Sequence, residues 1–299
     1  MAAAPLHSSA YFVTPTMQLP ALLAQPPELP SLPRAVALLM SELNRPQPSL
    51  RRLSQLFALD PTLTAHLLQQ ANAPEHGLAR QIHGIAQALA LLSLGQVRAL
   101  VANAAVGASS RAVPGVNLLQ FWRYSQHSAK MARALAGLVR LNPLAAYTAG
   151  LLHGLGELVL YQGDPGRMLS ISTLAGPLDL HRGQLERHIL GFGYAQVSAG
   201  LAQQWGLPQD VVDALQHHLT PFDNQVYEPL AGVLHLAVWR ARVQAAGLGE
   251  REAAVTFPGE VGVALGLDID MVLQQDPIDW LGGAGEPQVP QPFNRSNAQ

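Results

Sequence analysis

The sequence predicts an all-α protein, a helical bundle of two packed subdomains, and three observations support this. Between residues 28 and 246 apolar residues recur mostly at three- and four-residue spacing, and no run alternates as a half-buried strand does. Helix start and stop signals such as Asp60-Pro61, Asn142-Pro143 and Gly206-Leu207-Pro208 punctuate the chain. The 299 residues are 48% hydrophobic, enough for a sizeable core.

Residues 1–27 are rich in Pro, Ala and Ser without a sustained period and are expected to form an extended, partly docked leader. The first helical block spans 28–115. In it Asp60 caps a helix with Pro61 at its first position, Leu63, Leu67 and Leu68 share one face, and Asn72 and Pro74 end it. Ile82, Ile85, Ala86, Leu89 and Leu92 stripe the next helix, which Gly95 terminates before a third begins. Val113-Pro114-Gly115 breaks the chain before a second block, 116–246.

The second block opens with a long helix over about 117–141 that carries Trp122, His127 and Met131. Asn142-Pro143 starts the helix that carries His153, and further helices are expected over 183–190, 194–205, 209–218 and 227–245. The pattern weakens in 247–281, a C-terminal helical extension with short helices near 259–265 and 268–275. Gly, Pro, Asn and Gln mark 282–299 as a flexible tail.

Composition excludes several functions. With 18 basic against 20 acidic residues, and charged residues at 13%, the chain has no electrostatic footprint for nucleic acid or an anionic membrane. Lys130 is the only lysine. The absence of cysteine rules out disulfides, thiolate zinc sites and cysteine nucleophiles, and suits a reducing, cytoplasmic location. No signal peptide is evident, and the most apolar stretch, Ile85 to Leu94, is too short to span a bilayer.

Candidate chemistry rests on histidine. Of the eleven, His127, His153, His217 and His218 fall on helices of the second block. Neutral imidazoles bind metals, but a catalytic centre usually adds a carboxylate and leaves a coordination position open. The available acids are poorly placed: Glu157 lies one turn after His153, and Asp213 one turn before His217. Gly154, not an acid, follows His153.

These motifs, in order, resemble an HDOD domain over roughly residues 28–245. The first block contributes Leu29-Pro30-Ser31-Leu32-Pro33, Asp60 through Asn72, and Ile85-Ala86-Gln87-Ala88-Leu89 leading to Leu94-Gly95. The second contributes Trp122 followed by His127-Ser128, Ala149-Gly150-Leu151-Leu152-His153, Glu186 followed by Gly191, Trp205-Gly206-Leu207-Pro208 and His217-His218.

HDOD domains resemble the HD superfamily of metal-dependent phosphohydrolases, so the resemblance implies an HD-like second block. It implies that His127 matches the first ligand histidine and His153 the histidine of the His-Asp pair. Gly154 then replaces the aspartate, and Tyr194 stands where relatives often have histidine. His217 and His218 match a later histidine pair, of which helical geometry lets at most one face the site. The final aspartate would fall near Leu236-Ala237-Val238, where no acid stands. His127 and His153 could hold at most a weakly bound divalent transition metal, and no cofactor is expected.

The leading expectation is therefore a bacterial-type, cytoplasmic, non-catalytic signalling module that acts through contacts with a protein partner, without nucleic acid or membrane. The alternative is a nucleotide or second-messenger binding module without turnover, and after it a divergent metal-dependent phosphohydrolase recruiting Glu157 or Asp213. The plainer readings make His127 and His153 buried packing residues, Trp122 and Trp205 core anchors, Asp60 a helix cap, Glu186 a cap or bridge between helices, and Arg51-Arg52 a solvated face.

Overall fold

A computed structural model describes residues 17–26, 28–77, 80–107, 112–223 and 226–275. Among the described residues there is no strand, and the fold is all-α. The first helices are α1 (Leu19–Ala24), α2 (Pro33–Leu43), α3 (Leu50–Phe57), α4 (Pro61–Ala71), α5 (Ile85–Leu91) and α6 (Leu94–Gly107). Then come α7 (Leu118–Leu138), α8 (Pro143–Leu152), α9 (Leu155–Gly163), α10 (Pro165–Ser172), α11 (Arg182–Leu190) and α12 (Tyr194–Gln204). The last are α13 (Gln209–His217), α14 (Pro229–Ala246), α15 (Glu250–Thr256), α16 (Gly259–Leu265) and α17 (Ile269–Leu273).

The cap signals operate as read. Asp60 is fully buried; its Oδ1 accepts the Leu63 N–H at 3.0 Å, and its Oδ2 accepts the Leu32 N–H at 2.6 Å. One carboxylate thus starts α4 and ties down the strap ahead of α2, although burial pushes its carboxyl up to about 6. Asn72 does more than end α4. Its side chain accepts from Gln81 and Ile82 N–H and donates to the Leu68 and Ile82 carbonyls, clamping the loop to α5.

Several expectations are revised. The helix expected to carry His153 onward is broken: α8 ends at Leu152, and α9 restarts after Gly154. Ser198 of α12 bridges the break, its hydroxyl donating to the His153 carbonyl at 2.6 Å and accepting the Gly156 N–H at 2.8 Å. Glu157 therefore lies on a different helix from the turn preceding His153. Residues 19–24 of the expected extended leader are helical, with Leu22 and Leu23 packed over Gly163 and Gly200. Helices α10 and α15 were not anticipated. The first 16 residues, the tail 282–299 and the end of the extension beyond 275 lie outside the described residues.

One buried cluster runs from Ala35 to Val272 and includes residues of both blocks. In it α7 packs closely on α8 at Gly150, where a Cβ would stand 2.6 Å from the Ala129 Cα. Trp122 is buried, while Trp205 is partly buried and packs against the core.

Candidate functional site

The α8–α9 break, the first turn of α12, the end of α13 and the last turns of α14 bring four polar side chains together against Tyr124 of α7. His153 is fully buried, and its Nδ1 lies 2.7 Å from the Gly150 carbonyl. A carbonyl can only accept, so Nδ1 carries the proton and Nε2 is left as an acceptor. Tyr124 fills it, its hydroxyl donating to Nε2 at 2.9 Å.

His218 repeats the pattern. Its Nδ1 donates to the Leu215 carbonyl at 2.8 Å, and its Nε2 accepts from the Tyr194 hydroxyl at 3.3 Å. Arg242 joins the two halves, with Nε donating to the Tyr124 hydroxyl at 3.1 Å and Nη2 to the Tyr194 hydroxyl at 3.0 Å. Its guanidinium also lies 5.8 Å and 5.7 Å from the two tyrosine ring centroids. The His153 and His218 rings are 5.9 Å apart, edge to face.

Electrostatics match this wiring. Burial pushes His153 down to about 3 and outweighs its bond to Gly150, and burial together with neighbouring His153 pushes His218 well below its ordinary value. Both rings are neutral at physiological pH. Each hydroxyl accepts from a permanent cation and donates to a neutral imidazole, so every hydrogen bond in the chain has a consistent direction.

Beside this group lies a second buried set. Arg182 Nε donates to Glu186 Oε1 at 2.7 Å and Nη1 donates to the Ala175 carbonyl at 2.7 Å. Nη2 lies 2.8 Å from Glu157 Oε1, so Arg182 is the shared ion-pair partner of two buried carboxyl groups. Burial, then the adjacent Glu186, push Glu157 well above the usual carboxylate range against the pull of Arg182. Glu186 both bridges and caps: its Oε2 accepts the Tyr194 N–H at 2.8 Å.

The structure brings His153, Tyr194 and His218 together and places Gly154 beside Phe121. It does not bring His127 or His217 there. His127 is half-buried among Lys130, Arg123 and Arg240, and burial followed by those cations pushes its pKa down. His217 ends α13, partly exposed, while its neighbour turns inward. Asp213 accepts from Gln209 rather than from His217. Leu236, Ala237 and Val238 are buried apolar residues of α14. Sequence reasoning missed Tyr124, Arg242 and the Arg182 pairings. Tyr124 lies one turn before His127; it is buried and reaches His153, while His127 is only half-buried.

The metal implied by the superfamily resemblance does not fit these residues. Both Nε2 lone pairs already accept tyrosine hydrogens, and Arg242 sets a permanent positive charge against both hydroxyls. At Gly154 a Cβ would stand 2.9 Å from the Phe121 ring, so the position next to His153 is filled by an apolar side chain. Among the described residues no three His, Asp or Glu side chains are grouped to hold a metal ion.

Residues 29–221 match the HDOD domain family. The chain belongs to that family. A protein of Treponema pallidum of undescribed function is 25% identical over 213 residues, 70% of this chain; the chain spans 41% of that relative's length. The response regulator MmoQ of Methylococcus capsulatus shares the fold at a TM-score of 0.66 and 25% identity, covering 83% of this chain and 98% of its own. A virulence factor of Campylobacter jejuni, at 19% identity and a TM-score of 0.56, covers 86% and 98% and shows the fold alone. The HDOD match stops before α14, so Arg242 is contributed from outside the matched span. No helix among the described residues is long and apolar enough to cross a membrane.

Proposed function

We propose that this HDOD protein is a non-catalytic regulatory module that acts through contacts with a signalling protein partner in the cytoplasm. The observation that carries the reading is the closed relay in which Arg242 holds both tyrosine hydroxyls and each hydroxyl occupies a histidine Nε2. A hydrolytic metal centre needs those nitrogens and an open coordination position. Likeness to MmoQ, described as a response regulator, supports the regulatory side.

Nucleotide binding in the place of a hydrolytic centre has less support. His153, Tyr194 and His218 are at most 1% exposed, so none of them is presented to a ligand at the surface. The adjacent cleft of about 410 Å³, with Phe121 in its wall, presents Asn117, Gln120 and Asp179 but no cation among its described lining residues. Phosphate recognition ordinarily uses cations or convergent N–H groups.

The test is hydrolysis of cyclic di-GMP and of linear nucleotides with added manganese or iron. The purified protein is expected to turn over no faster than a His153→Ala/His218→Ala variant. Turnover well above that variant would overturn the non-catalytic reading.

A further inference from the structure

The helix α1 is held to the rest of the protein by few contacts. It has six residues, none of them buried, and no side-chain cap at its start. A helix needs roughly 12 residues or more to persist alone in water, so docking is what keeps this one folded. Met17, Leu19, Leu22 and Leu23 are half-buried against the core, while Gln18, Pro20, Ala21 and Ala24 are exposed. Its seat is a groove over α9 and α12 with two glycine notches. A Cβ at Gly163 would stand 2.8 Å from Leu22 Cδ1, and one at Gly200 would overlap the Leu23 side chain. Gln204 Nε2 donates to the Leu23 carbonyl at 2.9 Å. Past α1 the chain is pinned afresh, with Thr62 Oγ1 donating to the Pro30 carbonyl at 3.0 Å and the Leu32 N–H donating to Asp60. Release of α1 therefore leaves the starts of α2 and α4 tied down.

We infer that this groove is a docking site for a short uncharged helix of a partner protein, with leucines at relative positions 1, 4 and 5, and that α1 is its built-in competitor. The resident segment shows the chemistry that fits: Leu19, Leu22 and Leu23 supply that spacing, and no residue of α1 carries a charge. Recognition of a helix in a groove reads such i, i+3, i+4 anchors. The same two helices serve the relay, since α9 begins at the break beside His153 and α12 supplies Tyr194 and the Ser198 bridge. The inference rests on the partner-contact reading above, but the two fail separately. Hydrolytic turnover would sink that reading and leave peptide docking untouched, while a groove that takes no peptide would leave the closed relay as it stands.

The probe is a fluorescein-labelled peptide of residues 17–26, followed by fluorescence anisotropy on the full chain. Wild type should bind it at least about tenfold more weakly than a Leu22→Ala/Leu23→Ala chain, because tethered α1 competes at an effective concentration in the millimolar range. The same two changes in the peptide should abolish binding. Adding Gly200→Met to the opened chain fills a notch and should weaken binding at least about tenfold with circular dichroism unaltered, since the atoms nearest a Gly200 Cβ all belong to Leu23. In wild type, excess peptide should speed hydrogen exchange of the chain's own Leu19–Ala24 amides, a readout that needs no variant. Equal affinity for the wild-type and opened chains, or binding to neither, would overturn the proposal. So would a concentration-dependent dimer that Leu22→Ala/Leu23→Ala dissolves, which would assign the groove to a second copy of the chain.

Discussion

At Gly154 there is no room for the carboxylate that the superfamily resemblance implies. The Phe121 ring occupies the space a Cβ would need, and Ser125 Oγ lies 3.7 Å from the same point. Gly154→Asp should therefore not restore a metal site. It is expected to lower stability by about 1–3 kcal/mol through overpacking, with a further penalty for a buried carboxylate. Urea unfolding with and without manganese checks this: a midpoint below wild type that the metal does not raise is the expected result. Tyr124→Phe and Tyr194→Phe should each cost about 1–3 kcal/mol, because each strands a histidine Nε2 and an arginine N–H together. In a double-mutant cycle the pair should couple by about 0.5–3 kcal/mol through Arg242; strict additivity would mean the guanidinium does not link them. The sequence made His153, Tyr194 and His218 legible, because position within recognisable motifs carries over. It could not separate Tyr124 from His127, since both lie on the inner half of one helix and burial alone decides between them.

Helix placement followed the chain's local chemistry. Side-chain caps before proline, as at Asp60-Pro61 and Asn142-Pro143, put α4 and α8 where expected. The same signal at Asp164-Pro165 opens α10 and was present in the sequence unread. The break between α8 and α9 was not legible, because its replacement hydrogen bonds come from Ser198, 45 residues downstream of His153. Glycine in the run Ala149 to Glu157 has separate duties. Gly150 admits the Ala129 backbone, and Gly156 sits against the Tyr194 carbonyl. Gly150→Ala is expected to force α7 from α8 and cost at least about 1–3 kcal/mol. Loss of the thermal transition, or a midpoint well below that of Gly137→Ala, where a Cβ meets nothing within 4 Å, would show it.

Across the molecule, the buried neutral histidines link stability to pH. His153 sits near 3 when folded, against about 6.5 in an unfolded chain. Its folded value is depressed, so its contribution is complete above about pH 6.5 and is lost as the pH falls toward 3, where the unfolded state takes the proton first. Asp60 and Glu157 are shifted upward and act in the opposite direction. The informative quantity is thus the stability difference between wild type and His153→Gln, which should shrink by about 1.4 kcal/mol per pH unit from about pH 6.5 downward. A pH-independent difference would mean that His153 is not held neutral. The all-α class and the family were both legible in the sequence. Arg242 was not, because it comes from α14, beyond the matched span, and an arginine amid apolar residues reads as a surface residue until the fold buries it. Its two hydrogen bonds nonetheless hold both tyrosine hydroxyls on the histidine Nε2 atoms, which on the reading proposed above leaves no ligand for a metal. Metal analysis by mass spectrometry, on protein expressed in medium supplemented with iron, manganese and zinc, tests this most directly. Metal far below one equivalent, unchanged in a His153→Ala/His218→Ala variant, is the expected result; one equivalent per chain that the variant loses would contradict it.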